Sequence, residues 1–196
     1  MIDIAIIVGS TRPGRNGPAV ARWVRDLAVA RSDARFEVVD LADFDLPHLD
    51  EPMPPILGQY TRPHTRRWAE TIAAFDAYVI VTPEYNHSAP GALKNAIDFL
   101  YAEWTNKAVG FVGYGSAGGA RAIEQLRAVL SCVQVAHVSA QVELSLYTDF
   151  EGFTVPRPAP RHEATLTTML DQVTAWGTAL KPLRAGQDPE EQSHAA

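Results

Sequence analysis

Two rhythms alternate along the chain. Short continuous apolar runs, which suit strands covered on both faces, are each followed by stretches with apolar residues three and four apart, which suit amphipathic helices. Ile4 to Val8 is a β-branched run ending at Gly9 and predicts the first strand. Val20, Trp23, Val24 and Leu27 then lie on one face of a helix beginning near Pro18. Phe36 to Leu41 predicts a second strand, and Thr61 to Phe75 a helix that buries Trp68, Ile72 and Phe75. Ala77 to Thr82 predicts a third strand ended by Pro83, and Gly91 to Leu100 a helix with Leu93, Ala96, Ile97 and Leu100 at helical spacing. Ala108 to Tyr114 predicts the fourth strand and Ala120 to Leu130 the next helix. In Gln134 to Leu144 the pattern changes: Val138, Ala140, Val142 and Leu144 alternate with polar residues, as in an edge strand with one wetter face. A last helix is predicted over His162 to Leu183.

The interruptions carry information too. Asp43 to Gln59 holds Pro47, Pro52, Pro54 and Pro55, which excludes helix across most of it. Connections this long are often functional or touch a partner subunit. Pro156, Pro158 and Pro160 mark a loop, and the polar residues 186–196 predict a disordered tail after a single domain over 1–185. Strand–helix alternation with apolar strands means an α/β fold, a doubly wound parallel sheet with helices on both faces. Five strands point to the flavodoxin-like order 2-1-3-4-5, in which ligands sit beyond the carboxyl ends of the strands where the order reverses. That places three loops together: after Val8, after Thr82 and after Tyr114.

Charge and composition narrow the partners. The net charge of -6 argues against a nucleic-acid binder, which needs a basic face. No apolar run reaches the roughly 18 residues of a membrane span, and the N-terminus lacks the basic start of a signal peptide, so a cytoplasmic protein is expected. The one cysteine, Cys132, excludes an intrachain disulfide and is expected as a small buried hydrophobe.

The first loop, Gly9 to Gly17, follows a strand and opens a helix, where unpaired N–H groups suit a phosphate. Ser10 and Thr11 add hydroxyls, and Arg12 and Arg15 add fork-shaped cationic donors. A P-loop is excluded, because Arg15-Asn16 stands where Lys-Ser/Thr is required. The dinucleotide fingerprint fails as well, since Thr11 takes the place of its second glycine. The second loop, Thr82 to Gly91, is braced by Pro83 and Pro90. It offers an extended backbone edge to a planar heterocycle, with Tyr85 to cover one face and Ser88 to cap the next helix. Glu84 fits a surface or interface charge better than a general base. The third loop, Gly113 to Arg121, carries four glycines at a strand end, where a ligand or another backbone comes close. It only half completes a nucleophile elbow, and no matching His and Asp are evident.

Together these residues resemble the NAD(P)H-dependent FMN reductase family, which includes quinone and azo reductases. The resemblance spans about residues 2–145. It rests most specifically on Thr82-Pro83-Glu84-Tyr85-Asn86 followed by Leu93-Lys94-Asn95-Ala96-Ile97-Asp98, and then on Gly9-Ser10-x-Arg12 and the glycine-rich third loop. It implies that Ser10 and Arg12 bind the FMN phosphate, with Arg15, Asn16 and Gly17 completing the cradle. Many members carry Ser at the position of Arg15 and Asn at that of Gly17. Pro83, Glu84, Tyr85 and Asn86 would line the isoalloxazine mainly through backbone groups, with Gly115, Ser116 and Gly118 on its other side. Lys94, Asn95 and Asp98 would fix their helix and a dimer contact, to which Trp104 could contribute. The family likeness further implies NADPH or NADH as electron donor, a small-molecule acceptor such as a quinone or flavin, and a homodimer or homotetramer. No catalytic side chain and no metal ligand is assigned, because the cofactor carries the chemistry. Two other readings stay open: a flavodoxin-like electron carrier or signalling module without its own NAD(P)H activity, against which Arg12 and Arg15 count, and a flavin-free interaction module.

Overall fold

A computed structural model of the chain describes residues 1–185, so the tail over 186–196 lies outside the described residues. The central sheet is built from β1 (Ile2–Val8), β2 (Ala34–Asp40), β3 (Ala77–Pro83), β4 (Ala108–Gly115) and β5 (Ala136–Ser145). All four pairings are parallel, and the spatial order is β2-β1-β3-β4-β5. The helices are α1 (Gly17–Ala28), α2 (Pro63–Ala73), α3 (Gly91–Asp98), α4 (Ala120–Cys132) and α5 (Pro160–Ala185). The expected doubly wound flavodoxin-like sheet is therefore the observed one.

The two-residue period of the strands separates the core into two layers. Ile2, Ile4, Ile6 and Val8 join Val79, Val81 and the inner faces of α1 and α5, including Val24, Met169 and Val173. Ala5 and Ile7 join Tyr78, Ile80 and Phe111 under α2, α3 and α4, with Trp68, Leu93, Ile97 and Leu126. β1, β3 and β4 are therefore apolar throughout, since both of their faces are covered.

β5 is an edge strand, as its alternation predicts, but it is not regular. Its register with β4 shifts between Val109 and Phe111. The Arg127 side chain donates to the Val138 and Ser139 carbonyls, and Gln172 accepts from the Ala140 amide. These side chains satisfy the groups that the irregular ladder leaves unpaired.

Four expectations need correction. Cys132 ends α4 and is exposed, not buried. Trp104 is buried, its indole N–H bonded to the Ile97 carbonyl, so it offers no surface to a second subunit. Ser88 does not cap α3: its hydroxyl reaches Gln125 Oε1, and Pro90 occupies the N-cap. The stretch before α5 is not simply a loop, because Phe150–Glu151 (β6) and Val155–Pro156 (β7) pair as a short antiparallel hairpin. The Asp43–Gln59 connection contains no α-helix, only 3-10 turns at Leu41–Phe44 and Pro55–Leu57.

Candidate functional site

The carboxyl ends of β1, β3 and β4 surround a cavity of about 380 Å³. Its walls include Arg12, Arg15 and Asn16 from the first loop, Pro83, Glu84 and Tyr85 from the second, and Gly115 and Ser116 from the third. Eight of the twelve residues picked out in the sequence thus line one cavity. Ser10, Gly17, Asn86 and Gly118 lie just behind or beside it. Ser10 is buried, and its hydroxyl pairs with Tyr85 Oη at 2.9 Å, tying the first loop to the second. Asn86 and His87 both have positive φ and form the exposed tip of a tight turn closed by reciprocal bonds between Tyr85 and Ser88. Gly118, at φ +70°, backs onto Glu143, where a Cβ would approach to 2.9 Å.

Glycine is required where backbones meet. A Cβ on Gly9 would lie 2.8 Å from Leu93 Cδ2 and 3.2 Å from the Val81 carbonyl oxygen, so a larger residue would push the first loop off β3. Gly119, at φ +85°, lets the third loop fold back onto Gly113, which a Cβ would meet at 2.7 Å.

The electrostatics of the first loop suit an anion. No side chain caps the N-terminus of α1 and no acidic residue stands in its first turn, so its partial positive charge is uncompensated, although Pro18 carries no N–H and the Ala19 and Val20 amides donate to the Asn16 carbonyl. The Arg12 guanidinium is exposed, 6.0 Å from the Tyr85 ring, and makes no ion pair among the described residues. Arg15 differs. Its Nη2 pairs with Asp40 Oδ2 at 2.5 Å, while its buried Nε has no partner. Asp40 ends β2 and also accepts from the Ala42 amide, so Arg15 is held against the rim of the cavity. Tyr114 Oη is buried below Gly17 without a well-formed hydrogen bond, and burial pushes its phenol pKa up. Two buried polar atoms seeking partners and one uncompensated cation converge on the same end of the cavity, the arrangement that a bound phosphate would satisfy.

Glu84 fixes the spacing of the opposite walls. Its side chain is only 5% exposed and forms an ion pair with Arg121, whose Nε donates to Oε1 at 2.5 Å. The other oxygen accepts the Arg121 amide at 3.2 Å and so caps α4, whose own N-cap is Gly119. Arg121 also reaches His87 at 2.9 Å. Glu84 is thus a buried structural anion rather than a surface charge. The backbone of this loop is partly spent: the Glu84 amide donates to Tyr114 and the Tyr85 amide to Ser88.

Sequence reasoning missed Tyr114, Leu146, Phe153 and Thr154 as wall residues. Tyr114 was visible at the end of β4, but the other three belong to the β5–α5 connection, which only the fold brings over the first loop. Lys94 and Asp98 pair one turn apart on α3 at 2.6 Å. Asn95 holds the Pro-rich connection through the Pro47 carbonyl and the Leu49 amide.

This fold and cavity define a flavodoxin-like α/β protein with a cavity at the switch point of its sheet. A family model described as NADPH-dependent FMN reductase matches residues 2–149. An NAD(P)H-dependent FMN reductase of Nectria sp. is 43% identical over 139 residues, covering 68% of this chain and 69% of that protein. A quinone reductase of Pseudomonas putida is 34% identical over 160 residues, covering 75% and 82%. The flavoenzyme NAD(P)H:(acceptor) oxidoreductase FerB of Paracoccus denitrificans superposes with a TM-score of 0.71, covering 91% of this chain and 98% of that one at 23% identity, a likeness of fold. The chain belongs to the NADPH-dependent FMN reductase family, NAD(P)H-dependent oxidoreductases with FMN as cofactor.

Proposed function

We propose that the cavity at the ends of β1, β3 and β4 is the FMN site and that the protein uses it to reduce quinones, free flavins or similar small acceptors with NADPH or NADH. The observation that carries this reading is the uncompensated Arg12 beside the uncapped α1 N-terminus, at one end of a cavity whose other walls are the second and third loops. Arg12, the buried Arg15 Nε and the positive end of α1 hold the terminal phosphate. The Tyr114 hydroxyl, lacking a partner of its own, donates to the same end of the cofactor. Pro83, Glu84 and Tyr85 form one wall for the ring system, Gly115 and Ser116 the other, and the Glu84–Arg121 pair keeps the two walls apart at a fixed distance. When bound, FMN supplies the hydride- and electron-transfer chemistry. The protein contributes position and field, so its site residues act by binding and orienting.

The described residues act as one domain over 1–185 with a homodimer or homotetramer as the working assembly, in the cytoplasm. Exposed Met53, Ile56 and Leu57 on the Pro-rich connection, which Asn95 fastens to α3, support an apolar face for self-association. Among the described residues, no helix is long and apolar enough to cross a membrane.

The test is the absorbance of the FMN-loaded protein before and after NADPH, followed by addition of a quinone. Bleaching of the flavin bands and their return with the quinone are expected. Failure of both NADPH and NADH to bleach the bound flavin would refute the reductase reading and leave an electron-carrier module.

A further inference from the structure

The family model ends at 149 and β6 begins at Phe150, so the β6–β7 hairpin lies outside the residues that the model matches. Its base is rigid. The Asp149 carboxylate is buried and accepts from the Ser145 amide and the Thr148 hydroxyl, with Arg161 3.3 Å away on the first turn of α5. Phe150 is buried with its ring 6.2 Å from that of Tyr114. From this base the hairpin extends back over the first loop, and its tip carries Gly152 and Phe153 at φ +57° and +61°. Two successive left-handed residues make a type I′ turn, which Gly152 accepts freely and an aromatic residue does not. The strained position places Phe153 at the cavity: its carbonyl accepts from Asn16 Nδ2 at 2.8 Å, and Phe153 and Thr154 join Arg12, Arg15 and Asn16 in the lining.

The hairpin thus stands at the phosphate end of the cavity. A flavin mononucleotide terminates at its phosphate, whereas a flavin dinucleotide continues from that phosphate into a second phosphate and an adenosine. At that end of the cavity Asn16 and the hairpin tip meet. The volume of about 380 Å³ is near the lower end of the roughly 300–1,000 Å³ range of ligand pockets. We infer that the hairpin, through Phe153 held on Asn16, closes the phosphate end of the site and selects a flavin mononucleotide against a dinucleotide. This rests on the cavity being the flavin site, as proposed above.

The experiment measures affinities of the purified full-length protein for FMN, FAD and riboflavin by flavin fluorescence quenching. The same titrations are run on Phe153→Gly, which fits the positive φ, and on a variant in which Glu151 to Val155 is replaced by two glycines. Melting curves verify that both variants fold. The wild type is expected to bind FMN about 100-fold more tightly than FAD. Replacing the hairpin is expected to bring that ratio below about tenfold, mainly by strengthening FAD, and Phe153→Gly, which removes the ring but keeps the carbonyl on Asn16, to lower it by less, with riboflavin affinity held within about twofold in both. A wild-type ratio below tenfold, or a ratio unchanged in the folded variants, overturns the role of the hairpin while leaving the flavin site intact. Failure of the wild type to bind any of the three flavins overturns the site assignment and the hairpin role with it.

Discussion

Replacing Arg12 with alanine isolates the phosphate contact more cleanly than any other change at the site. Arg12 makes no ion pair among the described residues and packs into no core, so its removal leaves no buried charge behind. The lost interaction is a charge-assisted hydrogen bond to phosphate, worth about 1.5–3 kcal/mol. At about 1.4 kcal/mol per tenfold, the FMN dissociation constant should rise roughly 10- to 150-fold. Riboflavin provides the internal control because it keeps the ring and ribityl chain and lacks the phosphate. Fluorescence titrations of wild type and Arg12→Ala with both ligands should show the loss for FMN alone, with an unchanged melting temperature. Equal weakening of both ligands would mean that Arg12 acts on the ring or on the loop. Unchanged FMN affinity would place the phosphate elsewhere.

Asp40→Asn removes the partner that neutralises Arg15 at the rim, a largely buried pair worth about 1 kcal/mol, and should tighten FMN binding up to about fivefold in the same titration. Glu84→Ala leaves Arg121 unpaired and the α4 N-terminus uncapped, and should destabilise the fold by about 1–3 kcal/mol in urea denaturation. Lys107 is buried, donates to the Ile72 and Ala73 carbonyls, and burial lowers its pKa from 10.5 to about 7. The unfolded chain then binds more protons between about pH 7 and 10.5, so stability should rise with pH across that window. Lys107→Met should flatten the rise between pH 7 and 9 in denaturation series. Asp76, paired with Lys181 and Arg184, gives a slope of the same sign at lower pH: its lowered pKa means that stability rises with pH up to the ordinary 3.8 and is fully present above it, and Asp76→Asn should remove part of the stability loss seen as the pH falls below that value.

All five sheet strands and all five helices were legible from periodicity, because each buries a face whose spacing the sequence repeats. The strand ends were legible too, because Gly9, Pro83 and Gly115 interrupt the apolar runs where the sheet stops. What stayed hidden depends on residues far apart in the chain. Nothing in Arg15 itself shows that Asp40, at the end of a neighbouring strand, takes its charge, so the two arginines of the first loop look equivalent in sequence and differ in the fold. Glu84 reads as a surface charge because the Arg121 that buries it comes from the helix after the next strand. The β6–β7 hairpin escaped detection for another reason: each of its strands is two residues long, and one ends in Pro156, which removes a ladder donor. Such a hairpin has too little side-chain pattern to announce itself and depends on Asp149 and Asn16 to hold its two ends. The short elements that escape periodicity are therefore the ones that the binding loops and the α5 cap hold in place. In this chain those elements distinguish one arginine from the other and close one end of the cavity, so the general chemistry of the site is written in its strand-end loops and its selectivity in contacts between segments remote in sequence.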